Sequence, residues 1–248
     1  MARAAPADAV CGRIDLHTPP SRLARLLHAE LAAGVDPEGT PRWNLPPTEG
    51  VLAMVGGRTQ GAPPRVLTIF RWGLVPWWAK DPSVGNRMIN ARAESLEDSG
   101  AYRDAFAHRR CLVVADGFYE WKAAAEGTRG RKLPFYYRRA DGAPLAFAGL
   151  WERWRDPARR DEEGAVLRTC TIVTTDAGPD VVAVHDRMPV IVEAGHFDEW
   201  LDPGLEDTGP LTALLVPSPG GTLVSHRVDT AVNDVRNDGP ELVEAVAP

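Results

Sequence analysis

The chain has 248 residues, enough for one large domain or two small ones with a sizeable core. Hydrophobic residues make up 44% and charged residues 25%, and the net charge of -6 argues against a generally basic nucleic-acid coat protein while leaving room for a local basic cleft. No apolar run approaches the roughly 18 residues of a membrane span, and three cysteines, Cys11, Cys111 and Cys170, are odd in number and too widely spaced for a disulfide framework or a zinc site. A reducing cytoplasm is therefore the expected compartment, with no metal and no other cofactor.

Residues 1–10 are small and polar, lack the pattern of a secretory signal, and read as an unstructured extension. Ser21 is placed to cap a helix running through Leu23, Leu26, Leu27 and Leu31, with Gly34 as its stop. Asp36 to Thr48 reads as a Pro-rich loop, and Val51–Val55 and Val66–Arg71 read as strands around a Gly/Pro-rich turn. Trp72 to Arg92 has no clear period, and a long ordered loop of that kind is more often functional than accidental. A short helix is expected over Ala101–His108, and a buried strand over Cys111–Ala115, bounded by Asp116-Gly117. Phe135–Arg139 and Leu145–Leu150 flank Asp141-Gly142, a strong hairpin signal. Further strands are expected at Thr169–Thr175, Val190–Val192 and Leu223–Val228, with a short helix at His196–Leu201. The sum is one α+β domain over 11–240, built on curved, barrel-like, mostly antiparallel sheet with short peripheral helices, followed by a tail at 241–248.

Five segments stand out together: Cys11-Gly12-Arg13, Trp72 to Trp78, Asn90 to Glu94, Gly117 to Trp121, and His185 to Pro189. With Arg42 to Thr48 and Val232 to Asn237, this ordered set resembles the SOS response-associated peptidase family of abasic-site processing proteins. The resemblance implies that a cysteine at mature position one condenses with the aldehyde of an abasic deoxyribose in single-stranded DNA, forming a DNA–protein crosslink that shields the lesion. It also implies self-processing of the N-terminus, and an imine at the same sugar opens a route to β-elimination.

Chemistry agrees with that role for an N-terminal cysteine. An amine attacks an aldehyde to give a reversible imine, and a thiol on the neighbouring carbon then closes a persistent five-membered thiazolidine. The α-amine, with a pKa near ~8, keeps a useful neutral fraction at neutral pH. Cys11 departs from the family pattern because ten residues precede it. Either they are removed, or translation starts at Val10, since GTG encodes valine and also serves as a bacterial start; the second account is preferred.

Glu120, between Tyr119 and Trp121, suits a general acid, because aromatic neighbours desolvate a carboxyl and raise its pKa. His185 suits proton shuttling, and Asn90 is placed to orient the Cys11 amine or bind the sugar. Arg13, Arg92 and Arg187 are candidate phosphate forks, and Asn44 joins them as a DNA contact through its motif. Adjacent Trp77 and Trp78 in a loop are suited to stacking on bases. Each residue also has an ordinary structural reading: a buried thiol, a solvated glutamate, a turn histidine, surface salt bridges, core tryptophans. Two other functions compete: a cysteine protease using Cys11 and His185, with Asn90 or Glu120 as orienter, and a non-catalytic binder of single-stranded nucleic acid. The expected partner is single-stranded DNA containing abasic sites, engaged by a monomer without a membrane.

Overall fold

The computed structural model describes residues 11–56, 65–123, 132–159, 162, 164–205 and 207–246; the 1–10 extension lies outside them. The strands in chain order are β1 (Ile14–Leu16), β2 (Glu30–Leu31), β3 (Arg42–Leu45), β4 (Gly50–Gly56), β5 (Arg65–Trp72), β6 (Asn90–Arg92), β7 (Arg110–Ala115), β8 (Gly117–Lys122), β9 (Leu133–Arg139), β10 (Leu145–Arg155), β11 (Val166–Asp176), β12 (Arg187–Pro189) and β13 (Leu223–Arg227). The helices are short: α1 (Pro20–Leu26), α2 (Arg103–His108), α3 (Phe197–Leu201) and α4 (Gly209–Ala213). One sheet runs β13-β9-β8-β1-β3 and the larger one β12-β11-β10-β7-β4-β5-β2, with β6 added to β11. A parallel β5–β11 pairing (Thr169 opposite Arg71, Cys170 opposite Trp72) closes β11, β10, β7, β4 and β5 into a ring. This is the expected α+β architecture of curved, mostly antiparallel sheet.

The larger sheet is apolar on both faces because each face has its own cover. Residues of even number in β7 and β10, such as Leu112, Val114 and Ala148, pack with the helices through Leu23, Phe106 and Trp200. Their odd-numbered neighbours Cys111, Val113 and Phe147 pack instead with Ile14, Phe118 and Tyr137 of the five-stranded sheet. That double cover is why β7 reads as a continuous apolar run rather than an alternating one. Cys111 and Cys170 are core residues of the second layer, and burial pushes both thiols up from their ordinary pKa.

Several local expectations need correction. The first helix starts with Pro20 at its first position, behind Pro19, rather than with Ser21, and stops at Leu26. His28 at φ 51° turns the chain, and Leu31 leaves the helical pattern to pair in parallel with Leu67. The 36–48 segment contains β3, paired to β1. The 72–92 segment holds a 3-10 turn at Pro82–Arg87, capped by Asp81, and then β6. Asp141-Gly142 does not close a hairpin. β9 pairs with β8 and β13, while β10 pairs with β7 and β11, so this turn, with Gly142 at φ 75°, hands the chain from one sheet to the other. Strand β12 lies at 187–189 rather than 190–192; there Val190 and Val192 donate instead to Val173 and Ala146 carbonyls as the chain crosses between strands. The start of the 241–248 segment is packed, with Leu242 buried.

Candidate functional site

Strand β1 carries Cys11 to the site. Ile14 lies opposite Phe118 and the Tyr119 amide donates to the Arg13 carbonyl, so the chain just before β1 arrives beside Glu120 on β8. Cys11 sits at φ 46°, in the left-handed region rarely used by non-glycine residues, and is fully buried. Its backbone nitrogen donates to Glu120 Oε1 at 2.5 Å. Glu120 is 1% exposed, and burial pushes its carboxyl up to about 8, with the Cys11 and Trp121 amides and Lys132 pulling the other way and Asp186 adding to the rise. Burial, with Glu120 second, also drives the Cys11 thiol well above its ordinary value, which keeps it a neutral thiol.

Asn90 lies on the larger sheet and His185 in the turn that precedes β12, each next in sequence to a residue of the cluster that contains Cys11. Asn90 opens β6 opposite Ile172, and Ile89 packs in one cluster with Cys11, Trp72 and Tyr137. His185 ends a turn in which its amide donates to the Val181 carbonyl; Val184 packs against the same cluster. His185 Nδ1 accepts from the Arg187 amide at 3.0 Å and lies 3.0 Å from Asp186 Oδ1. Among the described residues no hydrogen bond joins His185 to Cys11 or Glu120.

The six expected DNA contacts fall into different settings. Trp77 and Trp78 are 62% and 55% exposed on the loop after β5, and Arg92 is exposed. Arg187 is held by Glu94 (2.7 and 3.0 Å), Asp176 (2.8 Å) and the Thr174 carbonyl (2.8 Å), so an incoming phosphate competes with two carboxylates. Arg13 and Asn44 are turned inward. Arg13 donates to Asn44 Oδ1 at 2.5 Å and to the Val232 carbonyl at 2.9 Å, with its guanidinium over the Trp121 ring. Asn44 Nδ2 donates to the carbonyls of Val232, Asp234 and Asn237. Together they clasp the late segment against β1 and β3. Sequence reasoning did not single out Lys132 and Asp186, whose fields reach Glu120; the one available signal was that Lys132 is among only three lysines, with Lys80 and Lys122.

Among the described residues, Asp15, His17 and Asp116 place ligand atoms within 4.8 Å of one another. All three are joined by hydrogen bonds: Asp15 accepts from Tyr136 Oη (2.7 Å) and His17 Nδ1 (2.9 Å), and Asp116 from the His17 and Thr18 amides and the Thr18 hydroxyl. These contacts make the three residues a hydrogen-bonded clasp.

The fold and site define a class: an α+β, sheet-built protein that buries a neutral cysteine thiol and its backbone nitrogen against a carboxyl of raised pKa. Residues 10–235 match the family described as SOS response associated peptidase (SRAP), and the chain belongs to that family. It is 39% identical over 211 residues to the abasic site processing protein YoqW of Bacillus subtilis, covering 84% of this chain and 89% of that one. It is 30% identical over 243 residues to the abasic site processing protein YedK of Escherichia coli, covering 96% and 100%. A crystal structure of a protein from Bacteroides thetaiotaomicron shares the fold with a TM-score of 0.80 at 19% identity, covering 96% of this chain and all of that one.

Proposed function

We propose that this chain handles abasic sites in DNA, as its relatives are named for doing, and that it fastens itself to single-stranded lesions through Cys11. The observation that carries the reading is the 2.5 Å contact between the Cys11 nitrogen and Glu120 Oε1. It sets a nitrogen, and a thiol on the adjacent carbon, beside a buried carboxyl that holds its proton at neutral pH.

The chemistry requires the Cys11 nitrogen as a free amine, and hence a chain without the bond to Val10. The amine attacks C1′ of the ring-opened sugar and one of its protons passes to the new oxygen; the Glu120 carboxyl then protonates that hydroxyl, which leaves as water, and takes up the second amine proton as the imine forms. The thiol sulfur then adds to the imine carbon and its proton passes to nitrogen, closing the thiazolidine. Asn90 and His185 are assigned to orienting the amine and relaying protons, Trp77 and Trp78 to stacking on unpaired bases, and Arg92 and Arg187 to phosphates. A thiolate protease mechanism finds less support, because the Cys11 thiol is raised rather than lowered and His185 Nδ1 is occupied by the Arg187 amide.

The test compares protein beginning at Cys11 with the full-length chain and with Cys11→Ala, each incubated with an abasic single strand and followed by intact mass. The Cys11-first protein is expected to form a heat-stable adduct. Full-length protein and Cys11→Ala are expected to bind without one. A stable adduct on protein still carrying Met1 to Val10 would assign the nucleophile elsewhere.

A further inference from the structure

Strands β10 and β11 outrun their neighbours. The β10–β7 ladder ends at Leu150 opposite Arg110, and β5 meets β11 at Thr169 and Cys170. Beyond them, Arg153–Arg155 and Val166–Arg168 form a two-stranded ribbon. Its two faces differ. One holds the loop that bears Trp77 and Trp78: Trp154 Nε1 donates to the Ala79 carbonyl at 2.7 Å, and the Val75 amide donates to Thr169 Oγ1 at 2.9 Å.

On the other face Arg153 stands directly opposite Arg168, and both are exposed. Like charges directly opposite across a ladder destabilise it. Among the described residues neither guanidinium meets a carboxylate. Glu152, the nearest in sequence, points to the opposite face and binds Arg109 at 2.8 Å. Beside the two arginines, Trp151 stacks on Phe70 with ring centroids 5.5 Å apart. In a chain of net charge -6, two facing cations that meet no anion among the described residues mark a place where an anion relieves repulsion on arrival.

We propose that the Arg153–Arg168 pair binds the phosphodiester backbone of the DNA flanking the captured lesion. The inference rests on the function proposed above and extends its binding track. A DNA strand is the occupant that fits, because β11 links the ribbon to the site. Ile172, opposite Asn90, lies four residues beyond Arg168, about 13 Å at ~3.3 Å per residue. That is about four nucleotides of a stacked strand at ~3.4 Å each. The loop bearing the Trp pair is held on the opposite face of the same ribbon by Trp154 and Thr169, whereas Arg153 and Arg168 stand on the face that Trp151 shares with Phe70.

Two variants test it. Arg153→Glu places opposite charges across the ladder, so its Tm is expected to hold or rise while its affinity for a single strand of about 25 nucleotides falls roughly tenfold. The double variant Arg153→Gln, Arg168→Gln is expected to lower the slope of log affinity against log salt by about 1.4, the value for two lost single-strand phosphate contacts. With both variants and the wild-type sequence prepared as protein beginning at Cys11, crosslinking of a strand of about 6 nucleotides with the abasic site at its centre, near the lower end of single-strand site sizes, is expected to proceed at one rate in all three, because the strand does not reach the ribbon. Wild-type affinity and salt slope for the long strand in the double variant would overturn the inference, and would leave the pair to an acidic protein surface. Failure of the otherwise unaltered protein beginning at Cys11 to crosslink the short strand counts against the proposed chemistry alone; its failure to bind either strand overturns both.

Discussion

Glu120 concentrates the electrostatics of the site in one proton. Its carboxyl is raised to about 8 in the folded protein, chiefly by burial, whereas an unfolded chain releases that proton near ~4.3. Between those values the folded state holds a proton that the unfolded state has lost, so stability falls as pH rises through the window. Chemical denaturation across pH 5 to 8 is expected to show that decline in the full-length protein and a flatter profile in Glu120→Gln, which has no proton to lose. An unchanged slope in Glu120→Gln would remove this carboxyl as the source. The type of residue was legible in sequence, since a glutamate between Tyr119 and Trp121 invites desolvation. Its partner was not, because the Cys11 nitrogen lies 109 positions away in the chain.

Two elements divide the labour around that residue. The segment at 230–238 is fastened by Asn44, which donates to three of its carbonyls and accepts from Arg13. Asn44→Ala strands a buried guanidinium and those carbonyls, so it is expected to cost roughly 2–4 kcal/mol in urea unfolding; a loss under about 0.5 kcal/mol, the range of ordinary surface substitutions, would deny the clasp. No side-chain pattern encodes this role, since most partners are backbone carbonyls, and the motifs around Asn44 and Arg13 point only to an expected DNA contact. The Trp77–Trp78 loop behaves oppositely. Both rings are exposed, so Trp77→Ala and Trp78→Ala are expected to change stability by less than about 0.5 kcal/mol while weakening single-strand binding by about 1–3 kcal/mol per lost stack. Unfolding of either variant would return that tryptophan to the core. The other elements that sequence missed are short, such as three-residue β1 and four-residue β3, too brief for a period to show.

At the scale of the molecule, both covers of the larger sheet left their trace in sequence as unbroken apolar strands, which predicts buried sheet but not which face meets what. Asp141-Gly142 carried a sound turn signal, and the error lay in the partner: the turn changes sheets. The same long-range wiring governs the excursion between β5 and β6. Its two ends are tied to one strand, with the Gly73 amide on the Cys170 carbonyl and the Ile172 amide on the Ile89 carbonyl, roughly eighty to a hundred residues downstream. The hydrogen bond that closes the excursion on itself, from the Leu74 amide to the Met88 carbonyl at 3.0 Å, has β11 beneath it. Closing a loop costs entropy before distant pairing repays it, so order in this excursion arrives with the strand that carries it. Pulse-labelled hydrogen exchange during refolding is expected to show the Leu74 and Ile172 amides gaining protection together, and earlier protection at Leu74 would make the excursion an independent hairpin. The exposed Trp77 and Trp78 thus find their place only once β11 has, and a ribosome must have released β11 before that loop can take its shape.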